Sequence, residues 1–143
     1  MTDTALSQPL YGASFGQAVG RFFSKYATFS GRASRSEFWW VWLLLVIVNL
    51  AFVGILIGVI VSTGTATSTG VQPSGAEIPV YVIWAIFELA IIVPAIALTV
   101  RRLHDANFSG WLYLLHLVPY IGGLIVLILN IQSSKPEGAR FDR

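Results

Sequence analysis

Between Trp39 and Val61 the chain reads WWVWLLLVIVNLAFVGILIGVIV, 23 residues without an acid or a base. Two further stretches resemble it: residues 79–100, PVYVIWAIFELAIIVPAIALTV, and residues 111–131, WLYLLHLVPYIGGLIVLILNI. At about 1.5 Å per residue, each forms a helix roughly 31–35 Å long, enough to cross a hydrocarbon core of about 30 Å. A water-soluble helix of this length carries a polar face, and these barely do. The expected fold is an all-α integral membrane protein with about three transmembrane helices, over residues 35–61, 79–103 and 109–131.

Composition agrees. Only 11% of the 143 residues are charged and 55% are hydrophobic, whereas soluble domains carry about a quarter charged residues, so too little charge remains to coat a water-facing surface. The mean hydropathy of +0.72 points the same way. Cysteine is absent, which excludes a disulfide framework, thiolate chemistry and a Cys-ligated zinc. The first apolar run starts too late and is too long for a cleaved signal peptide, so it is expected to remain in the mature protein.

Residues 1–12 are expected to form a flexible N-terminus and residues 13–143 a single membrane domain. Within that domain, Phe15, Ala18, Val19, Phe22, Phe23 and Tyr26 recur at the spacing of one helix face, opposite Ser14, Gln17, Arg21, Ser24 and Lys25. This predicts an amphipathic helix over residues 13–28, suited to lying in the membrane interface. Ser34 and Glu37 have the spacing of a capping box, and Trp39, Trp40 and Trp42 suit the headgroup boundary. Residues 62–78 form a Ser/Thr/Gly/Pro-rich connector, Pro79 suits a first helical turn, and residues 132–143 are a polar tail.

Basic residues orient the chain. Arg21, Lys25, Arg32 and Arg35 precede the first span, the connector after it holds no Lys or Arg, and Arg101 and Arg102 follow the second. By the positive-inside rule the N-terminus is cytoplasmic. Three full spans would leave Lys135, Arg140 and Arg143 outside, against that rule. The segment Pro119-Tyr120-Ile121-Gly122-Gly123 can kink the last helix or turn it back as a re-entrant hairpin, which would return the tail to the cytoplasm. Broken backbone at membrane depth needs protein or water to satisfy its polar groups, so the kinked full span is the expectation.

Two polar groupings are candidate sites. Glu88 lies mid-way along the second span, on a stripe with Trp84, Ala95, Thr99 and Arg102 expected to face the other spans. Asn49 lies at nearly the same depth, so an Asn49 amide to Glu88 hydrogen bond is expected; His116 lies at a shallower level. The pair would serve either as interhelical glue or as a proton or cation relay. The second grouping is Arg32, Arg35 and Glu37 with Arg101, Arg102, His104 and Asp105, all at the cytoplasmic ends of their spans. Expected pairs are Glu37 with Arg102, and Asp105 with Arg32 or Arg35. Any surplus cation would face lipid phosphates, which Arg grips in a bidentate fork. His104-Asp105 alone makes no metallohydrolase site, which needs several more ligands, and no nucleophile with a base and an orienter is evident. Gly54 and Gly58 form a G-x-x-x-G that allows close helix approach.

Two segments together carry a family resemblance. Phe29-Ser30-Gly31-Arg32-Ala33-Ser34-Arg35-Ser36-Glu37-Phe38-Trp39-Trp40 resembles the opening motif of the YhaH-type small bacterial inner-membrane proteins, catalogued as a domain of unknown function. Arg101-Arg102-Leu103-His104-Asp105, continuing through Ser109-Gly110-Trp111 to Pro119 and Gly122, is similar to that family's second signature. Gly138-Ala139-Arg140-Phe141 stands where the family usually has an asparagine, and the 62–78 connector is long. The resemblance implies a multi-pass helical protein of the bacterial inner membrane and supplies no activity.

Taken together, these readings predict a protein that is not an enzyme and needs no cofactor or metal. It would be an accessory, scaffold or lipid-interacting component. Its partners would be the bilayer, anionic phospholipid headgroups and a second copy or another membrane protein, with no nucleic acid. The competing expectation is a small oligomeric transporter or channel built around Glu88.

Overall fold

A computed structural model of the chain describes residues 6–142; residues 1–5 of the expected flexible terminus lie outside them. The elements are α1 (Phe15–Ser24), α2 (Arg35–Thr63), the strands β1 (Thr65–Thr67) and β2 (Gly70–Gln72), α3 (Ile78–Asp105), a 3-10 segment (Gly110–Leu117), α4 (Gly122–Ile131) and a second 3-10 segment (Pro136–Phe141). Among these, α2 and α3 are long and apolar enough to cross a membrane. The fold divides into two compact units, Met1–Trp42 with Val93–Arg143, and Leu43–Ile92.

In the first unit, helix starts follow from side-chain caps. Ser14 and Gln17 close a capping box on α1, the Ser14 N–H donating to Gln17 Oε1 at 2.9 Å. Ser34 and Glu37 make both bonds of another at the start of α2, Ser34 N to Glu37 Oε2 at 2.8 Å and Glu37 N to Ser34 Oγ at 3.2 Å. Along α1, Ala18 and Phe22 are buried while Phe15 and Phe23, and Tyr26 just beyond its end, remain exposed. Ala33, Phe38, Val41, Ala97, Leu98, Leu103 and Val126 complete the apolar core. Pro94 stands inside α3, where it removes one donor from the helical ladder.

The third apolar stretch is not one continuous helix. Its 3-10 part ends at Leu117, and α4 begins at Gly122 and packs back on it. Gly122 allows this approach: a Cβ there would land on the Leu115 carbonyl oxygen. Tyr120, fully exposed at the bend, has φ +68°, a left-handed conformation unusual for a residue with a side chain. The bend satisfies much of its own backbone, with Val118 N donating to Leu115 O (2.8 Å), Ile121 N to Pro119 O (2.9 Å) and Gly122 N to Val118 O (3.0 Å).

The second unit holds the rest of α2, the first half of α3 and, between them, a small exposed hairpin pairing Thr65 with Gln72 and Thr67 with Gly70. The sequence reading had only a connector there. Phe52 stacks on Trp84, with ring centroids 5.9 Å apart, and leans on Phe87. Leu56 and Ile91 are buried, whereas most large side chains of this unit are exposed.

Candidate functional site

Part of the second candidate grouping comes together within the first unit. Its centre is Asp105, fully buried at the end of α3. One carboxylate oxygen accepts from the Tyr11 hydroxyl at 3.0 Å, the other from Arg102 Nη1 at 2.9 Å and from the Ser134 hydroxyl. Arg32 Nη1 stands 3.8 Å from the same carboxylate. Burial and the neighbouring Asp105 charge together raise the Tyr11 phenol above its ordinary range.

The arginines bind mainly backbone carbonyls. Arg102 has no exposed surface and donates from Nε to Asn130 O at 3.1 Å and from Nη2 to Gln132 O. Arg101, 1% exposed, donates to the carbonyls of Lys25 (2.9 Å) and Thr28. Arg32 forks onto Asp142, Nε to Oδ1 at 2.8 Å and Nη2 to Oδ2 at 2.6 Å, which raises its guanidinium further above its usual value. Four segments thereby meet in one clasp: the N-terminal arm, the α1–α2 linker, the end of α3 and the tail.

His104 and Gly31 lock the same segments from another side. His104 Nδ1 faces Gly31 O at 3.1 Å and its ring stacks on Phe141 at 4.0 Å, while Gly31 N donates to Phe141 O at 2.7 Å. Gly31 has φ +80°, and a Cβ there would lie 2.6 Å from Ser7 O, so both backbone and space require glycine. Gly138 is similarly tight, its Cβ position 2.5 Å from His104 O.

Of the two expected pairs, Asp105 is approached by Arg32 but the Glu37–Arg102 pair is not made. Glu37 is reached not by Arg102 but by Arg21 Nε at 2.5 Å, and it also accepts the Leu10 N–H at 2.9 Å. Height alone suggested Arg102, but that side chain is occupied by the tail. Arg32 N donates to Ser7 O at 2.9 Å and Arg21 Nη2 to Gln8 O at 2.5 Å, so the arm from Leu6 to Leu10 is tied down where flexibility was expected. Arg35 is exposed and has no carboxylate partner among the described residues. It lines a polar cavity of about 410 Å³ with Tyr11, Ser36, Ser133 and Ser134.

In the second unit, Asn49 and Glu88 are linked indirectly. The Trp84 indole N–H stands 2.9 Å from Asn49 Oδ1 and 3.2 Å from Glu88 Oε1, and the Asn49 amide donates to Leu45 O at 3.0 Å. The expected amide–carboxyl bond is not formed; Trp84, at i−4 from Glu88, supplies the donor instead. Glu88 is exposed on its helix rather than covered. Tyr11, Arg21, Trp84, Ser134 and Asp142 escaped the sequence reading as partners. Arg21 and Trp84 alone had a signal, through their positions on named helix faces.

No solved structure matches this chain. Among named proteins, the inner membrane protein YhaH of Escherichia coli (strain K12) is 34% identical over 116 residues, covering 81% of this chain and 85% of its own length. The inner membrane protein YhaI of the same strain is 38% identical over 116 residues, covering 81% and 84%. A family described as protein of unknown function (DUF805) matches residues 26–143, a span that includes every arginine of the clasp except Arg21. Family match, relatives and two long apolar helices agree, and this chain belongs to the DUF805 family of membrane proteins.

Proposed function

We propose that this chain is a noncatalytic component of the bacterial inner membrane, a scaffold that meets anionic lipid at the cytoplasmic ends of its helices. The observation that carries this reading is how the clasp spends its charges. Arg32, Arg101, Arg102, His104 and Asp105 are held by one another, by backbone carbonyls and by Asp142, which is the behaviour of a structural fastening. Arg35, outward and beside a serine-lined cavity, is the cation of that grouping with no carboxylate partner among the described residues, and so is available to a headgroup phosphate. In mild detergent, phosphatidylglycerol should raise the melting temperature more than phosphatidylethanolamine does, and Arg35→Glu should reduce that difference. Equal response to the two lipids would sink the lipid part of the reading.

The same reading takes the third apolar stretch as a re-entrant hairpin. Gly110 lies against His104, while Asn130, Gln132 and Ser134 return to Arg102 and Asp105. Entry and exit thus share one level, the tail joins the N-terminal arm, and its basic residues obey the positive-inside rule. At about 15 Å, α4 is half of a bilayer core in length. A tail fusion to a reporter active only in the cytoplasm should be active; a silent, fully expressed fusion rejects the hairpin.

One observation favours a second reading. Glu88 is exposed on an apolar helix, and a carboxyl at such depth requires cover from a second copy or a water-filled route. In that reading the chain oligomerises into a small transporter. Unchanged proton or ion flux in Glu88→Gln liposomes would remove its support.

A further inference from the structure

A groove beside the clasp serves none of these contacts. A cavity of about 450 Å³ is walled by Ile96, Val100, Trp111 and Leu114. His104, Ser109 and Phe141 line it and also border a second cavity of about 540 Å³ that adds Ser30 and Arg140. Three shared wall residues make these two ends of one groove, strongly apolar at one end and more polar at the other, where Ser30 and Arg140 join the wall. Each volume falls within the roughly 300–1,000 Å³ of small-molecule sites. Gly110 sits at the junction, where a Cβ would lie 2.6 Å from Val100 Cγ1 and 3.0 Å from His104 Nε2 and would narrow the passage.

The polar end is equipped for an anion. Arg140 is exposed, and among the described residues it has no carboxylate partner. Its guanidinium carbon lies 4.7 Å from the Phe141 ring centroid, a stacking that orients the group while leaving its N–H edges free. Ser109 Oγ accepts only the Trp111 N–H, at 3.4 Å, so its hydroxyl proton remains to donate. His104 faces Gly31 O through Nδ1, which keeps its second nitrogen toward Gly110 and the groove. At the apolar end, Trp111 is 80% exposed, an indole of the kind that marks the membrane boundary.

We propose that this groove holds one anionic phospholipid, its phosphate at Arg140 and Ser109 and an acyl chain along Ile96, Val100 and Leu114. The complementarity of a stacked, uncompensated guanidinium with a phosphate, continuous with an apolar trough at the end of a membrane-length helix, selects this occupant. The inference rests on the lipid-interacting reading, but it names a different place from Arg35.

Native mass spectrometry of the full chain, released from mild detergent with phosphatidylglycerol titrated against phosphatidylethanolamine, tests it. The expected result is one retained phosphatidylglycerol, weakened at least tenfold by Arg140→Glu and by the groove-filling Ile96→Trp. Arg140→Lys should keep part of the binding, and Lys135→Glu, an exposed charge outside the groove, should change it less than twofold. Val100→Phe replaces Ile96→Trp if the latter elutes as aggregate. Retention unchanged in both groove variants overturns this site and leaves the lipid reading standing. No preferential retention by the parent chain overturns both. Loss in Arg140→Glu but not in the groove-filling variant, with glycerol phosphate competing as well as lipid, means a headgroup-only site and overturns the acyl-chain assignment.

Discussion

Between residues 43 and 92, Ile47, Leu50, Ile55, Ile57, Ile83, Ile86 and Leu89 are all exposed, and the polar contact linking α2 to α3 is the Trp84 indole at Asn49. In the other unit, Arg101, Arg102, Asp105, Glu37 and Asn130 are buried, and the carbonyls of Lys25, Thr28, Asn130 and Gln132 turn inward to meet the two arginines. The contrast follows the solvent each part requires. An apolar helix in lipid satisfies its backbone internally and loses nothing by showing isoleucine outward. In the other unit the connecting segments have irregular backbone, and there buried charged side chains serve as hydrogen-bond partners.

The sharpest way to break this comparison is Arg102→Met. It strips hydrogen bonds from Asn130 O and Gln132 O and leaves Asp105 buried without its closest cation. The expected loss is about 3–5 kcal/mol in denaturant titration in micelles, whereas Leu50→Ala, on a 65% exposed position of the other unit, should be nearly neutral. A cost for Arg102→Met no greater than that for Leu50→Ala would show that the clasp does not hold the unit together.

Gly122→Ala should cost about 2–3 kcal/mol, since its methyl would fall on the Leu115 carbonyl. Gly123→Ala is the control: there a Cβ meets only the edge of His116 at 3.7 Å, and the melting temperature should hardly move. Equal effects at the two glycines would mean that α4 does not fold back on the 3-10 segment.

A smaller, pH-dependent effect belongs to Lys25. Its ammonium is buried without a hydrogen-bond partner among the described residues, and burial, aided by the Arg21 charge, pushes it down to about 8. The unfolded chain, with lysine near 10.4, then holds more protons between those values. Stability is therefore lowest below pH 8 and rises toward pH 10. Melting temperatures should climb across that window in the parent chain and stay flat in Lys25→Met; a parallel climb in both would assign the effect to another group.

Trp84→Phe is expected to be the mildest, about 1 kcal/mol, because it removes the N–H shared by Asn49 and Glu88 while retaining a ring to stack on Phe52. A melting temperature lowered as much as by Arg102→Met would erase the distinction between the units.

How much of this was legible depended on where the information resides. α2 and α3 are announced by runs of more than 20 apolar residues, and composition alone carries that signal. Pro119 and Gly122 announced a break in the third run, but not its direction, which is set by the contact between Gly122 and the Leu115 carbonyl. The clasp residues were legible as a group from their common level. Their partners were not, because Arg101 and Arg102 bind carbonyls at Lys25, Thr28, Asn130 and Gln132, and every residue carries a carbonyl. Side-chain partners fared better: the Asp105–Arg32 approach was anticipated from charge, while Glu37 found a nearer arginine on α1.

The tail's return to Arg32, Arg102 and His104 has a consequence for biogenesis. Gln132, Ser134, Phe141 and Asp142 all follow residues 111–131, so these contacts of the clasp form only after the three apolar stretches have been made. Until then the guanidinium of Arg102 lacks two of its carbonyl acceptors and the Gly31 amide has nothing to bind. The unfinished chain thus leaves unmade the Arg32 and Arg102 contacts that residues 130–142 supply.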